Sequence, residues 1–154
     1  MSTATAARSK RQTTNMQIRK ISEDDFDAWT RMVTNYDPDI GAARMQRAWY
    51  RFFAVAPQAF CMVAVEDSQP IAFMQYTFHA FPFSETPVCY MDAVYTQDEY
   101  RGRGIASALI GYLTEMGRIM GWGRIYWVTE PNNPARSIYD KIAKPDFIRY
   151  HMDL

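Results

Sequence analysis

Apolar and polar residues recur along the chain with two different periods, and these periods predict its secondary structure. Alternation and short runs of β-branched and aromatic residues indicate strands, whereas apolar residues spaced by three or four positions indicate amphipathic helices. Ser22, which three acidic residues follow, is typical of a helix start. The predicted strands are 16–21, 60–65, 71–79, 88–95, 124–129 and 147–152, and the predicted helices are 23–36, 40–56, 105–120 and 135–142.

The resulting order, β-α-α-β-β-β-α-β-α-β, predicts an α/β fold with a mixed central sheet. The unit of strand, helix and strand over 88–129 is expected to be a right-handed parallel crossover. The length of 154 residues suits one domain with a sizeable core. Residues 1–15 are small, polar and basic, so we expect a disordered basic tail there and a single domain over 16–154.

Charge is distributed unevenly, although 17 basic and 17 acidic residues sum to zero. Residues 1–20 contain five basic residues and no acid, so the rest of the chain has a net charge of −5. A mildly acidic body favours a cationic substrate over nucleic acid, which binds clustered Lys and Arg. We therefore expect no nucleic-acid partner.

Membrane insertion, secretion and metal binding are not expected. No apolar run approaches the roughly 20 residues of a membrane span, and no apolar stretch near the N-terminus resembles a secretory signal. Cys61 and Cys89 both lie in apolar runs that are predicted strands, so we expect buried, reduced thiols and a cytoplasmic protein. Two thiols alone cannot form a zinc site.

The segment Tyr100–Ser107 carries the most specific chemistry, since it joins a predicted strand to a predicted helix. Gly102 and Gly104 permit a tight turn and close approach of a ligand to the backbone. The helix start offers unpaired N–H groups, so the segment can bind a pyrophosphate. Arg101 and Arg103 add positive charge. The alternative is a glycine-rich turn with solvated arginines, and the pattern is neither a Walker loop nor a dinucleotide fingerprint.

The pattern Arg-x-x-Gly-x-Ala at 101–106 resembles the signature of the GNAT superfamily of acetyltransferases, and the element order is similar as well. The later segment 126–140 resembles that superfamily's strand, Asn-x-x-Ala-x-x-x-Tyr and helix. The resemblance covers about 16–154 and is closest in look to the polyamine and histone acetyltransferase branch. Many members have Gly-Phe after the last helix, where this chain has Lys144-Pro145-Asp146-Phe147.

The resemblance implies binding of acetyl-CoA, without a metal, in a gap where the fourth and fifth strands splay apart. Backbone groups of the fourth strand would hold the pantetheine arm, those of the glycine loop the pyrophosphate, and an asparagine side chain would brace the arm. The residues at these positions are Val94, Tyr95, Arg101, Gly102, Arg103, Gly104, Ile105, Ala106, Ser107 and Asn132.

Two residues are candidates for proton transfer. Tyr139 matches the tyrosine that protonates the departing thiolate, and a phenol with a pKa near 10 can do so. An alkyl amine is charged at neutral pH, and Asp92, at a position where polyamine-type members carry an acid, is the candidate that takes its proton. Their alternatives are a tyrosine packed on the sheet and a salt bridge. His79, Glu85 and Tyr36 are candidates on the acceptor side, with structural or surface roles as alternatives.

The resemblance implies an N-acetyltransferase that moves an acetyl group to a primary amine of a small molecule, such as a polyamine or an amino acid. Direct attack in a ternary complex is expected, because neither cysteine lies near a histidine in the pattern. A protein lysine or N-terminus as acceptor, and a non-catalytic acyl-CoA-binding module, remain alternatives. The aromatic last strand is compatible with a homodimer.

Overall fold

A computed structural model describes residues 15–154, so the predicted basic tail lies almost entirely outside the described residues. Five strands and four α-helices follow one another in the predicted order up to the fourth helix. The elements are β1 (Gln17–Lys20), α1 (Phe26–Tyr36), α2 (Ala42–Phe52), β2 (Ala59–Glu66), β3 (Gln69–His79), β4 (Val88–Thr96), α3 (Ile105–Met120), β5 (Arg124–Tyr126) and α4 (Arg136–Ile142), with short 3₁₀ turns at Glu23–Asp25 and Asp98–Tyr100.

The strands form one mixed sheet in the order β1-β2-β3-β4-β5. The first four strands pair antiparallel, whereas β5 pairs parallel with β4. The long helix α3 makes the connection that a parallel pair requires. The mixed α/β fold and the parallel β4–α3–β5 unit are therefore confirmed.

Each face of the sheet has its own core. On one face, α1 and α2 contribute aromatic side chains, among them Trp29, Trp49 and Phe52, which pack on Phe73 and Tyr95 of the sheet. On the other face, α3 packs its apolar stripe on the sheet. Burial of one large apolar side chain contributes about 1.5–3 kcal/mol, so both helix layers hold the sheet firmly.

The start of α1 is fixed by Asp25, which is only 4% exposed. Its carboxylate accepts the main-chain N–H of Ser22 at 2.8 Å and two guanidinium bonds from Arg19 at 2.6 and 2.9 Å. Burial raises the pKa of Asp25, but the hydrogen bonds from Arg19 and Ser22 outweigh it, so the pKa lies below its ordinary value. This pair joins β1 to the first helix.

The predicted final strand, 147–152, does not form in the described chain, where residues after α4 have no regular structure. Its side chains are exposed; Phe147, for example, is 83% exposed. An extended segment needs a neighbouring strand for its main-chain bonds. β5, which ends the sheet, is shorter than the predicted 124–129 and offers only three residues. Within residues 15–154, no helix combines the length and the apolar character that a membrane span requires.

Candidate active site

The strands β4 and β5 part after a short common stretch. Their last paired residues are Tyr90 and Tyr126, yet β4 continues to Thr96. From Asp92 onward, β4 therefore has β3 on one edge and, among residues 15–154, no strand on the other. The predicted splay of the fourth and fifth strands is confirmed. The open edge, which includes Val94 and Tyr95, presents main-chain N–H and C=O groups that an extended ligand can pair with.

A β-bulge lies at the start of this open edge. In the register of β3 and β4, Gln75 lies opposite Ala93 and Tyr76 opposite Met91, so Asp92 is the extra residue. A bulge of this kind redirects a side chain and bends the strand. Met91 packs in the α3 core and Ala93 in the α1–α2 core, so Asp92 and Ala93 point to the same face.

Asp92 shares the α1 side of the sheet with two tyrosines, Tyr36 and Tyr90. Tyr36 ends α1 and packs edge-on against Phe73 and Tyr95, with ring centroids 6.0 and 6.3 Å apart. Burial raises the pKa of Tyr36, and the charges of Asp92, Tyr139 and Tyr90 add to the effect. Asp92, Tyr139 and Tyr90 therefore each lie within electrostatic range of Tyr36.

The Asp92 carboxyl is both accessible and desolvated. Its side chain is exposed to solvent, but the surrounding protein atoms still raise the pKa of the carboxyl above its ordinary value. A raised pKa makes the carboxylate a stronger base, as proton abstraction from an ammonium requires. In the described chain Asp92 forms no salt bridge within 4.0 Å, which argues against its structural alternative.

Tyr139 lies on α4, at the opposite face. It packs with Trp127 against the α3 core, and the two ring centroids are 5.3 Å apart. Burial raises the pKa of the Tyr139 hydroxyl, so it stays protonated at neutral pH and can donate a proton. The hydroxyl forms no hydrogen bond within residues 15–154 that would occupy it.

The glycine loop before α3 has the geometry of an anion site. Gly102 and Gly104 have φ of 74° and 77°, and a Cβ on either would meet no atom within 4 Å. The first turn of α3 has no side-chain cap. In the described chain the N–H groups of residues 103–107 have no main-chain acceptor outside the helix, and Ala108 makes the first helical bond, to Gly104. Open space and free donors fit a pyrophosphate.

The two arginine side chains of the loop are already paired. Arg103 forms a two-pronged ion pair with the nearly buried Glu66 and lies over the Tyr100 ring. Arg101 binds Asp98 at 2.8 Å and donates to the Thr96 carbonyl. The positive charge that the sequence places in the loop is therefore shared with Asp98 and Glu66 in this structure. Pairing with acids holds the loop in shape instead, so the free groups that the loop offers to an anion are the main-chain N–H groups of residues 103–107.

Two asparagines follow β5, and the structure distinguishes them. Asn133 accepts the N–H of Ala135 at 2.9 Å and donates to Thr129 at 2.8 Å, so it shapes the start of α4. Asn132 is exposed and makes no side-chain hydrogen bond with the described residues. Its amide is available to a ligand, as the resemblance implies.

A cavity of about 600 Å³ adjoins the loop on the α3 side. It is lined by one stripe of α3 from Ser107 to Arg118, by β5 and Trp127, and by Ala143 after α4. On β4, the buried hydroxyl of Thr96 has no hydrogen-bond partner in the described chain. A cavity, an unpartnered hydroxyl and the free N–H groups fit a long polar cofactor such as acetyl-CoA.

The remaining candidates lie at the edge of the site. His79 ends β3, and its Nε2 is 2.8 Å from the hydroxyl of Tyr126. Glu85 is exposed on the loop before β4 and makes no ion pair within 4.0 Å in residues 15–154. Sequence reasoning missed Tyr90 and Tyr126, which face the splay. Alternation from Asp92 could have identified Tyr90, but nothing in the sequence pairs Tyr126 with His79.

Both cysteines lie in surroundings that disfavour a nucleophilic thiolate. Cys61 and Cys89 are both buried, as expected. Burial raises the pKa of Cys61 well above its ordinary value and that of Cys89 to about 12. The reactive thiolate is therefore scarce at neutral pH, and a covalent acetyl-cysteine has no support.

Residues 18–143 match the model of the Acetyltransferase (GNAT) family, and the chain belongs to that family. It is an N-acetyltransferase that uses acetyl-CoA, which confirms the expected superfamily, enzyme class and cofactor.

Known relatives differ in what their names say they modify. A D-amino-acid N-acetyltransferase of Saccharomyces cerevisiae is 24% identical over 145 residues, which cover 86% of this chain and 88% of the relative. The structure of a ribosomal-protein-alanine N-acetyltransferase from Brucella melitensis biovar Abortus matches with a TM-score of 0.76 and 21% sequence identity. The match covers 90% of this chain and 99% of the Brucella chain. The structure of the aminoglycoside N-acetyltransferase AAC(6')-Iy in complex with CoA matches with a TM-score of 0.79 and 16% sequence identity. The match covers 94% of this chain and 97% of the aminoglycoside enzyme. The structural matches establish the fold.

Proposed function

We propose that the enzyme acetylates a primary amine of a small molecule and that the amine attacks directly in a ternary complex. One observation carries this proposal: a phenol and a carboxyl group, which we propose as proton donor and proton acceptor, lie on opposite faces of one splay. Tyr139 packs on the α3 face, whereas Asp92 points to the α1 face. Two substrates can therefore enter from two sides and meet in the gap.

The cofactor supplies a thioester, whose acetyl carbon the amine attacks. The backbone of the glycine loop and the side chain of Asn132 would hold the cofactor. A main-chain N–H on the open edge at Val94 or Tyr95 would stabilise the developing oxyanion, an effect of roughly 3–4 kcal/mol per donor. Tyr139 would give its proton to the departing sulfur, and its raised pKa keeps that proton in place until then.

Asp92 would bind the ammonium group of the acceptor and take its proton. The raised pKa of its carboxyl brings it closer to the pKa of an amine and makes the transfer less unfavourable. Tyr36, which is 49% exposed, would form an aromatic wall beside the acceptor. Aromatic faces bind ammonium groups and their alkyl stems.

Two features favour a small cationic acceptor. The chain outside residues 1–20 carries a net charge of −5, which attracts cations such as polyamines. The yeast relative is named for D-amino acids and a structural neighbour for aminoglycosides, both small molecules with amino groups. We propose polyamines, as in the branch that the sequence resembles, and amino acids as the first classes to test.

The test is thiol release from acetyl-CoA by the purified protein with a panel of acceptors. The panel contains spermidine, D- and L-amino acids, an aminoglycoside and a peptide with a free lysine and N-terminus. The proposal expects the highest kcat/KM for one of the small amines. Preference for the peptide would contradict it and favour a protein acceptor. Cofactor binding without turnover on any acceptor would favour a non-catalytic module.

A further inference from the structure

Glu66 is a buried carboxylate that lies beneath the glycine loop. It is the last residue of β2 and is only 9% exposed. Val65 before it packs in the α1–α2 core, so Glu66 points to the opposite face, where α3 lies. There its two oxygens accept hydrogen bonds from both terminal nitrogens of Arg103, one of them at 3.2 Å. An unpaired buried charge is costly, so this carboxylate depends on its arginine partner and keeps it in place.

Arg103 lies at the most flexible point of the loop. Gly102 and Gly104 flank it, and both have positive φ. Glycine loses more conformational freedom than any other residue when it is ordered, so a ligand that had to order this loop would bind weakly. The Arg103 side chain is held from two sides, by Glu66 and by the Tyr100 ring, whose centroid lies 5.3 Å from its Cζ. The loop is therefore ordered before a ligand arrives.

The hairpin of β2 and β3 is the support to which the loop is attached. Its turn, Asp67-Ser68, has φ of 49° and 65°, as in the tight two-residue turns that match the twist of the strands. A second tie joins the loop to this hairpin. Gln97 donates through Nε2 to the carbonyl of Pro70 at 2.9 Å, and its main-chain N–H donates to the carbonyl of Ile71 at 3.0 Å. The connection from β4 to α3 is thus attached near both of its ends to one hairpin.

We propose that Glu66 is a positioning residue for acetyl-CoA. Through Arg103 it holds the main-chain N–H groups of the glycine loop in the shape that binds the pyrophosphate. The inference rests on the cofactor role proposed for this loop. The opposite role would be that Glu66 withholds the Arg103 guanidinium from the cofactor. The two roles differ in sign, because loss of the Glu66 charge weakens CoA binding in the first and strengthens it in the second.

The experiment measures CoA binding to Glu66→Gln by calorimetric titration. Glutamine keeps the shape of the side chain and removes its charge. The Kd of CoA should rise about tenfold, the factor expected if the released loop has the binding shape about a tenth of the time. In the acetyl-CoA assay, KM for acetyl-CoA should rise as well, while kcat and the KM of the amine stay nearly unchanged. A general loss of folded protein would not produce this split.

Asp25→Asn is the matched control for stability. Asp25 is the other carboxylate that residues 15–154 bury, and it also has a two-pronged pair with an arginine, Arg19. Urea unfolding should show a loss of stability in both variants, whereas CoA should bind Asp25→Asn as it binds the wild type. Arg103→Gln should weaken CoA binding as much as Glu66→Gln. The double variant should bind no more weakly than either single variant, because the two residues act as one pair.

The outcomes separate the inference from the proposed function. Unchanged or tighter CoA binding by Glu66→Gln would overturn the inference. An additive loss in the double variant would overturn it too, because the Arg103 side chain would then bind the cofactor itself. If Glu66→Gln does not fold, Gln97→Leu tests the other tie to the hairpin, and unchanged CoA affinity there would overturn the inference as well. A wild type that binds CoA but acetylates no amine would overturn the proposed function alone.

Discussion

Replacing Gly104 by alanine tests whether the glycine loop binds the cofactor through its backbone. Gly104 has φ of 77° at the start of α3, and the place of its missing Cβ is empty. The new methyl group would therefore meet no atom of residues 15–154 within 4 Å. It would occupy the space in front of the free N–H groups, where a pyrophosphate must approach.

The expected effects on stability and binding differ in size. A left-handed conformation costs an L-residue roughly 1–2 kcal/mol, which lowers the melting temperature of a 150-residue domain by about 2–4 °C per kcal/mol. Loss of one hydrogen bond to the charged pyrophosphate costs about 1.5–3 kcal/mol. Since 1.4 kcal/mol is about a factor of ten in affinity, CoA should bind at least about tenfold more weakly.

Gly121→Ala is the matched control, because Gly121 ends the same helix with φ of 71° and also has no atom within 4 Å of its missing Cβ. Urea unfolding should show a similar loss of stability in both variants. Calorimetric titration with CoA should show weaker binding only for Gly104→Ala. Equal CoA affinity in Gly104→Ala and Gly121→Ala would refute the backbone-binding account of the loop.

The other predictions concern catalysis, pH and stability. Tyr139→Phe should lower kcat about 100-fold or more without weakening CoA binding, whereas Tyr112→Phe, on the exposed side of α3, should change neither; equal rates would exclude proton donation. Since Asp92 has a raised pKa, its carboxylate is lost as the pH falls through that raised value. We therefore expect kcat/KM to decrease on the acidic side. Asp92→Asn should abolish this acidic limb of the pH–rate profile. Asp25→Asn should cost about 1–3 kcal/mol of unfolding free energy at neutral pH. Because the pKa of Asp25 is lowered in the native state, this stabilisation is present above the pKa of Asp25 in the unfolded chain and disappears as the pH falls through its native pKa. The unfolding free energies of the variant and the wild type, measured in urea, should therefore become equal in strong acid. Asp24→Asn, at an exposed position, is the control and should leave the stability unchanged.

The sequence predicts most of the fold because local patterns determine most elements. The stripe of α3 and the alternation of β2, β3 and β4 locate these elements within a few residues of their observed bounds. The last strand fails because a strand depends on its neighbour as much as on its own residues. Residues 147–152 have the apolar character of a strand, but β5 provides an edge of only three residues.

The candidate site is predictable only in part. The glycine loop has a local signature, so its turn and its free N–H groups follow from sequence. The ion pair of Arg103 with Glu66 cannot be predicted from the sequence, because the two residues lie on different elements, 37 positions apart. The bulge that turns Asp92 towards Tyr36 depends on the register of β3 and β4, which alternation alone does not give. The Tyr126–His79 bond spans three strands for the same reason.

The central claim is that both substrates meet in one splay, and initial rates with both substrates varied test it most directly. Acetyl-CoA and the best amine of the panel are varied together while thiol release is followed. The account predicts lines that intersect in a double-reciprocal plot, because a ternary complex precedes transfer, and intact-protein mass spectrometry should find no acetylated enzyme. Parallel lines together with an acetylated protein would show a covalent intermediate and contradict the account.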